Sequence, residues 1–508
     1  MITTFASPSA VDDMPAELPA ILEQLADSNP AIGLALVRAL GGADSPALRQ
    51  TSNRLMEALA TDLGVSLEVE TTVSRALRAQ EVFDNWPEER VDALLRDLAV
   101  AVADRAEALA IEAVRETGMG NVADKVRKNR FASLAAYRSL VGKVGKGVLS
   151  VDQERRVTEI ASAVGVVFGV VPVTNPVGTA IFKTLIALKG RNALILSFHR
   201  RAVGVGRSVG AVIRQVLAAH GAPTDLVQCL TNRADRAITR RFMSHEKVSL
   251  IVATGSAGLV RAAYSSGTPA IGVGPGNAPA LICADADLEE AARAIVESKA
   301  FDNGLICGAE HNLVVDDRVS APFADALARH GAAVLTAEER GRFYKSVIDR
   351  KSRTLRREMI GQLADTIAAA VGISRPYPIR VIVIPSDAAR LDPFSGGEKL
   401  APVLSMFSAA GEDEALRLCR TLLDEAGAGH TAVIHSTNPA RVDRFARTMP
   451  AGRILVNTQA AQGCCGMTTG LECSITLGCG TFGGNSTTDN VGYRHLLNIK
   501  RVAYGLEV

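Results

Sequence analysis

The sequence is poor in aromatic side chains, with one tryptophan, six tyrosines and fourteen phenylalanines in 508 residues. Proteins that grip single-stranded nucleic acid stack its bases on aromatics, so such a platform is excluded. An excess of charge of one sign is also missing, because 56 Lys and Arg stand against 54 Asp and Glu. A net charge of +2 is too small for affinity built on neutralising a phosphate polymer, so nucleic acid is not an expected partner. Long hydrophobic runs are absent too. The longest, near residues 163–173, falls well short of the roughly 18–20 residues that span a bilayer, and it is rich in Val like a buried strand. No membrane attachment is expected. Asp12 and Asp13 stand where a signal peptide would be basic, so export is not expected either.

Cysteine is sparse as well. Eight are scattered at 229, 283, 307, 419, 464, 465, 473 and 479, without the dense even spacing of a disulfide scaffold. The last four show no C-x2-C pair and no neighbouring His run, so a metal centre is not expected and they read as buried or loop thiols. A reducing compartment follows, and the cytoplasm is expected.

What the chain has is length, glycine and alternation. At about 150 residues per domain it holds roughly three domains, and 44 glycines punctuate it. From about residue 160, short β-branched runs alternate with helical stretches, the pattern of a parallel sheet in an α/β fold. Strands are expected at Val164 to Val171, Asn192 to Ser197, Leu226 to Leu230, Val248 to Thr254 and Ala270 to Val273, with helices at Ala180 to Leu188 and Val203 to Ala219. A second set follows at Leu313 to Val315, Arg380 to Ile384, Leu404 to Phe407, Ala432 to His435 and Ile454 to Asn457. A helix capped by Asp287 links the two and ends at Gly304.

Upstream, Val91, Leu94, Leu95, Leu98 and Val102 carry helical spacing after Pro87 and predict one long amphipathic helix stopping before Gly118. The first 70 residues carry weaker stripes (Leu18, Ile21, Leu22, Leu25; then Leu55, Leu59, Leu63) and read as a separate helical appendage. Basic residues at 125, 127, 128, 130, 138, 143 and 146 read as a solvated helix face, with a patch for anionic phosphates as the alternative.

Three segments carry chemistry. Cys307 lies just past a helix end in a Gly-flanked stretch between domains, where a thiol can be reached by a substrate. Asn175 follows the Val-rich strand and opens a helix, where open α/β sheets present ligands, and its carboxamide suits an oxyanion. Thr254, Gly255 and Ser256 follow a strand and open a short helix whose free backbone amides suit a phosphate. Each alone also reads as a buried thiol or an ordinary turn.

Their order is more telling. The series Thr174-Asn175-Pro176, Thr254-Gly255-Ser256, Gly274-Pro275-Gly276-Asn277, Phe301-Asp302-Asn303-Gly304 with Cys307, and Glu398-Lys399-Leu400-Ala401-Pro402 resembles the aldehyde dehydrogenase superfamily. Within it the chain is most similar to the CoA-acylating branch, represented by the aldehyde dehydrogenase half of bifunctional aldehyde-alcohol dehydrogenases. The resemblance covers about Val73 to Tyr504.

It implies a Rossmann-type nucleotide domain at 71–280, a catalytic domain at 281–487, and a small oligomerisation sheet built from strands near 145–160 and from 488–508. It also implies Cys307 as nucleophile, Asn175 with the Cys307 backbone amide as oxyanion donors, and Thr174, Ser197, Arg200, Thr254, Gly255, Ser256 and Glu398 around the dinucleotide. Hydrolytic relatives carry a water-activating Glu that here aligns with Val273, or with Gly272 after a gap. A general base is worth roughly 10²- to 10⁴-fold, so its loss disfavours water. A thiol ionises near pH ~8.5 and needs less help, so coenzyme A is the expected acyl acceptor and a small aldehyde the substrate.

Arg200 occupies the place of an acid that would repel a 2′-phosphate, so NADP stays open, while the resemblance implies NAD because that branch generally uses it. His430, in a Gly-rich turn, is the candidate for the CoA thiol proton. The alternatives are a hydrolytic dehydrogenase with another base, or a non-catalytic nucleotide-binding scaffold. A homodimer or homotetramer is implied, with the appendage contacting a further protein or a shell. Deleting residues 1–70 is expected to leave turnover intact and change oligomer size in gel filtration; lost turnover at unchanged size contradicts this.

Overall fold

The computed structural model describes the backbone of residues 46–231 and 235–506, and side chains from residue 63 onward except 232–234. The stripe at Leu18 to Leu25 lies outside the described residues. The chain divides into two compact units, 1–74 and 75–508. A helix over Pro46–Asp84 runs through residue 70, so the appendage boundary expected there falls inside a helix.

Fifteen strands are described: β1 (Gly147–Asp152), β2 (Val157–Ala163), β3 (Val166–Val171), β4 (Ala193–Phe198), β5 (Val227–Leu230), β6 (Leu250–Thr254), β7 (Ala270–Val273), β8 (Ala278–Ile282), β9 (Glu310–Asp316), β10 (Ala332–Val334), β11 (Val381–Pro385), β12 (Val403–Ala409), β13 (Gly429–His435), β14 (Ala451–Val456) and β15 (Leu497–Ala503). They form three sheets. The order β5-β4-β3-β6-β7 is all parallel, as is β10-β11-β12-β9-β8-β13-β14, whereas β1-β2-β15 is antiparallel. The α/β class is therefore as expected from the alternation.

Composition explains the difference between the sheets. β3, β4 and β9 are buried at every residue, and β3 and β4 read as nearly continuous apolar runs, as a parallel sheet covered on both faces favours, whereas β9 buries Glu310, His311 and Asn312 at its start. β1 and β15 are mostly exposed and alternate apolar with polar residues.

Three expectations need correction. The helix after Pro87 is two helices, Glu88–Asp104 and Ala106–Thr117, interrupted at Arg105. Its apolar stripe, Val91 to Val102, is buried as predicted. The domain boundary placed after residue 280 cuts β8, which pairs with β9 and β13 in the seven-stranded sheet. The change of sheet falls instead in the turn 274–277.

The helix Leu288–Ala300 also stops short of Gly304. Asp302, Asn303 and Gly304 take φ of 46°, 55° and 73°, and three consecutive left-handed residues cannot continue a right-handed helix. Asp287 caps that helix by accepting from the amides of Glu289 and Glu290.

Among the described residues one helix, over Arg200–Ala219, is long and apolar enough to cross a membrane by length and composition. Its apolar face, including Val205, Val209 and Ile213, is buried.

Candidate active site

The turn 274–277 joins the C-terminal end of β7 to the N-terminal end of β8, and so carries the chain from one parallel sheet to the other. Cys307 precedes β9 and His430 opens β13, the two strands that flank β8. The three strand starts bring Gly276, Cys307 and His430 together. A methyl group on Gly276 would fall 1.8 Å from the Cys307 carbonyl oxygen and 3.3 Å from the His430 ring. Only glycine fits.

His430 Nε2 lies 3.2 Å from Cys307 Sγ, and its Nδ1 lies 2.9 Å from Thr431 Oγ1. The tautomer that donates Nδ1–H to Thr431 leaves Nε2 to accept the thiol proton. Burial pushes the Cys307 thiol up, helped by the charges of Cys465 and Glu398, and burial also holds the His430 imidazole well below its usual range. Both shifts favour a neutral S–H···N pair at rest.

The loop bearing Cys307 is tied down by charge. Asp302 is fully buried, and one of its oxygens takes both Lys125, at 3.0 Å, and Lys128. Its other oxygen accepts the Asn121 amide at 3.0 Å. Lys125 Nζ reaches on to the carbonyl of Thr174 at 3.0 Å, so one ammonium links the nucleophile loop to the loop that carries Asn175. The reading of this basic run as a solvated face is corrected here. Lys125 and Lys128 are buried, while Arg127 and Arg130 are exposed.

Asn175 sits at the N-cap of the helix Pro176–Lys189, and its Nδ2 donates to Thr174 Oγ1 at 3.1 Å. Its Oδ1 is buried without a partner. Asn175 and Cys307 line one cavity of about 40 Å³, otherwise walled largely by Phe131, Val177, Ile306, Met467, Ile475 and Leu477. Its size admits a small substrate.

Cys465 joins that wall, a role the sequence did not suggest. Its Sγ lies 3.7 Å from Cys464 Sγ, and a hydrogen bond from Cys464 with the nearby Lys128 and Arg453 lowers its thiol. Cys464 fills the space beside Gly308, where an added methyl would come 2.4 Å from its sulfur.

The dinucleotide candidates gather at the C-terminal ends of β3, β4 and β6. Thr254 ends β6, and its buried Oγ1 has no partner. Ser256 caps the helix Ala257–Tyr264, accepting from the Leu259 amide at 3.4 Å. Ser197 is buried in β4 and Arg200 is exposed just beyond it. These residues fit a dinucleotide, since orphaned polar atoms meet a helix start where strand order reverses around β3.

Glu398 lies apart in sequence but not in space, its Oε1 accepting the Gly276 amide at 3.3 Å. Burial raises its carboxyl to about 7, against the pull of that amide and of Lys299. No carboxylate stands at Val273 or Gly272: Val273 closes β7 and its carbonyl accepts the Gly255 amide.

Residues 57–490 match the family model described as "Aldehyde dehydrogenase family". The bifunctional aldehyde-alcohol dehydrogenase of Escherichia coli K12 is 40% identical over 446 residues, covering 86% of this chain and 49% of that protein. The chain thus spans about half the length of such bifunctional relatives. An acylating sulfoacetaldehyde dehydrogenase of Cupriavidus necator is 38% identical over 86% of this chain and 88% of its own length. The crystal structure of an acetylating aldehyde dehydrogenase from Geobacillus thermoglucosidasius superposes with a TM-score of 0.84 at 38% identity, over 88% of this chain and 98% of that one.

Replacing Gly276 by Ala displaces the Cys307 backbone, and a misplacement near 1 Å costs on the order of 10²-fold in rate. The expected outcome for Gly276→Ala is a loss of that size in Cys307 alkylation by iodoacetamide, followed by peptide mass spectrometry, together with a lowered thermal midpoint, since overpacking against backbone costs about 1–3 kcal/mol.

Proposed function

Because the chain belongs to the aldehyde dehydrogenase family, we propose that it is a CoA-acylating aldehyde dehydrogenase that converts a small aldehyde, NAD(P)⁺ and coenzyme A into acyl-CoA and NAD(P)H, reversibly. The observation that carries this is the Cys307–His430 contact at 3.2 Å, with Cys307 lining a small, mostly apolar cavity and Val273 where a water-activating Glu would stand. The names of the Cupriavidus and Geobacillus relatives support it.

The residues perform the chemistry in two halves. In the first, Cys307 Sγ bonds to the aldehyde carbon as its proton passes to His430 Nε2. The carbonyl oxygen becomes an oxyanion facing the Asn175 carboxamide. The bound nicotinamide supplies the hydride acceptor, held by Thr174, Ser197, Arg200, Thr254, Gly255, Ser256 and Glu398. Loss of hydride leaves a Cys307 thioester, and the His430 imidazolium releases its proton to solvent; in the second half, the CoA sulfur attacks that thioester while its own proton moves to the neutral His430. The bond from the carbonyl carbon to Cys307 breaks, and the leaving thiolate recovers a proton from the imidazolium.

The hydrolytic reading has one observation behind it, the charge of Glu398 reaching Cys307. That carboxylate already accepts the Gly276 amide. The enzyme acts as a homodimer or homotetramer through β1, β2 and β15, where exposed Val148, Val151 and Val502 invite cover. The described residues hold only free cysteines, in keeping with a cytoplasmic or microcompartment interior.

Sustained production of reduced nicotinamide, read by absorbance, is expected only with aldehyde, oxidised cofactor and CoA together, with at most one equivalent per Cys307 formed when CoA is left out. Without CoA, intact mass should show an acyl adduct that Cys307→Ala abolishes. Comparable turnover without CoA rejects the acylating reading, and unchanged turnover in Cys307→Ala rejects the nucleophile. A panel of short aliphatic, succinic and sulfonated aldehydes identifies the substrate.

Glu398, with its carboxyl raised to about 7, accepts ribose hydroxyls when ionised. As pH falls through 7 it takes up a proton and loses acceptor strength, so KM for NAD should rise below pH 7 and level off above it. Glu398→Gln should flatten the profile.

A further inference from the structure

The end of the helix Leu288–Ala300 and the start of β9 are joined by two adjacent buried pairs. Ser298 Oγ donates to Glu310 Oε2 at 2.5 Å, and Lys299 Nζ lies 3.1 Å from His311 Nδ1. All four residues are fully buried. Each pair extends to a different wall of the site. Glu310 Oε1 accepts the Ala460 amide and Ser298 Oγ accepts the Ala461 amide, both at 2.9 Å, fastening the helix Ala460–Gly463 beside the cavity. His311 Nδ1 accepts the backbone amide of Lys399 at 3.1 Å, next to Glu398.

The second pair is costly in a way that packing does not explain. A buried ammonium loses several kcal/mol of hydration unless opposite charge repays it, and the hydrogen-bond partner of Lys299 is a histidine that burial keeps neutral, so burial brings Lys299 itself down to about 7. Of the two carboxylates whose fields reach Lys299, Glu310 already spends both oxygens on Ser298 and Ala460. The other is Glu398. His311 tells the same story, because its Nε2 is buried without a partner. An apolar side chain would avoid that cost, so the ring is kept for its Nδ1 edge.

We propose that Lys299 and His311 are positioning residues for Glu398. His311 fixes the Lys399 backbone, and Lys299 holds the His311 ring at the same Nδ1, so the acid next to Lys399 is held in register with Cys307 although neither residue touches cofactor or substrate. The inference rests on the reading that Glu398 engages the nicotinamide ribose.

The test is the KM for NAD against kcat and the KM for CoA in four variants of the full chain. His311→Leu removes the acceptor, His311→Asn retains one at the same branch point, Lys299→Gln keeps a donor and removes the charge, and Glu398→Gln sets the reference. A hydrogen bond involving a charged group is worth roughly tenfold in affinity. His311→Leu and Lys299→Gln should therefore raise KM for NAD by about that factor with kcat and KM for CoA little changed, and His311→Asn should restore it. In the Glu398→Gln background Lys299→Gln should add nothing.

If Glu398→Gln weakens NAD while His311→Leu and Lys299→Gln bind it normally, the proposal is overturned. If Glu398→Gln itself binds NAD normally, the ribose reading fails first and the proposal with it. Should His311→Leu fail to fold, Lys299→Gln carries the same two outcomes alone.

Discussion

A four-residue turn that cannot carry a side chain at its third position governs this molecule. Gly276 lies where any Cβ would strike the Cys307 carbonyl oxygen, and the turn is also the crossing from the five-stranded to the seven-stranded sheet. The spacing between the end of β7 and the nucleophile is thereby set by backbone contact instead of by flexible side chains. Packed backbone is stiffer than any rotamer, and reactions that need two partners within a few tenths of an ångström gain most from stiffness. The Glu398 bond to the Gly276 amide and the His430 ring beside Gly276 converge on the same point.

The second theme is how buried charge is distributed. Asp302 carries two lysines, so that cluster holds one more positive than negative group. Burial lowers Lys125 to about 8, with Lys128 adding to it, so the cluster sheds charge more readily than an exposed one. In a low-dielectric site such a group attracts developing negative charge from a distance that water would screen. Lys125 spends part of this field on the Thr174 carbonyl, stiffening the loop before Asn175. An oxyanion formed at Cys307 would thus meet a carboxamide already held in place, which is how electrostatic stabilisation avoids the cost of reorganising donors during the reaction.

Much of this was legible in sequence because periodicity and turn chemistry are local. The helix Val203–Ala219 and the strand Ala270–Val273 fall on their expected ends, and the second strand set differs only at its margins. Cys307 stood out because it lies in a Gly-flanked segment just past an expected helix end. What was not legible depends on distance along the chain. Lys125 and Lys128 share a helix face at i and i+3, which in isolation signals exposure; their counter-ion lies 177 and 174 residues away.

β8 was missed for a different reason. Pro279 argues against a central strand, yet β8 is central, the proline tolerated where the register with β9 shifts between Ala278 and Pro279. The stretch from Thr336 to Tyr377 opens with a helix whose Thr336 and Glu339 form a capping box, and its Phe343, Val347 and Ile367 pack with Phe394 against Ile382, Ile384 and Val403 of β11 and β12.

The fate of an acyl group on Cys307 follows from what the cavity offers water. A hydrolytic site needs a carboxylate or imidazole free to take a proton from water, a poor nucleophile that is scarcely ionised at neutral pH. Val273 provides none, Glu398 is committed to an amide, and His430 is held low by burial. A weak base within reach is enough for a thiol, whose ionisation lies about seven units below that of water. On the proposed reading, the same burial that makes His430 a poor partner for water would leave it adequate for CoA, and acceptor choice would be set by the intrinsic acidity of the attacking group.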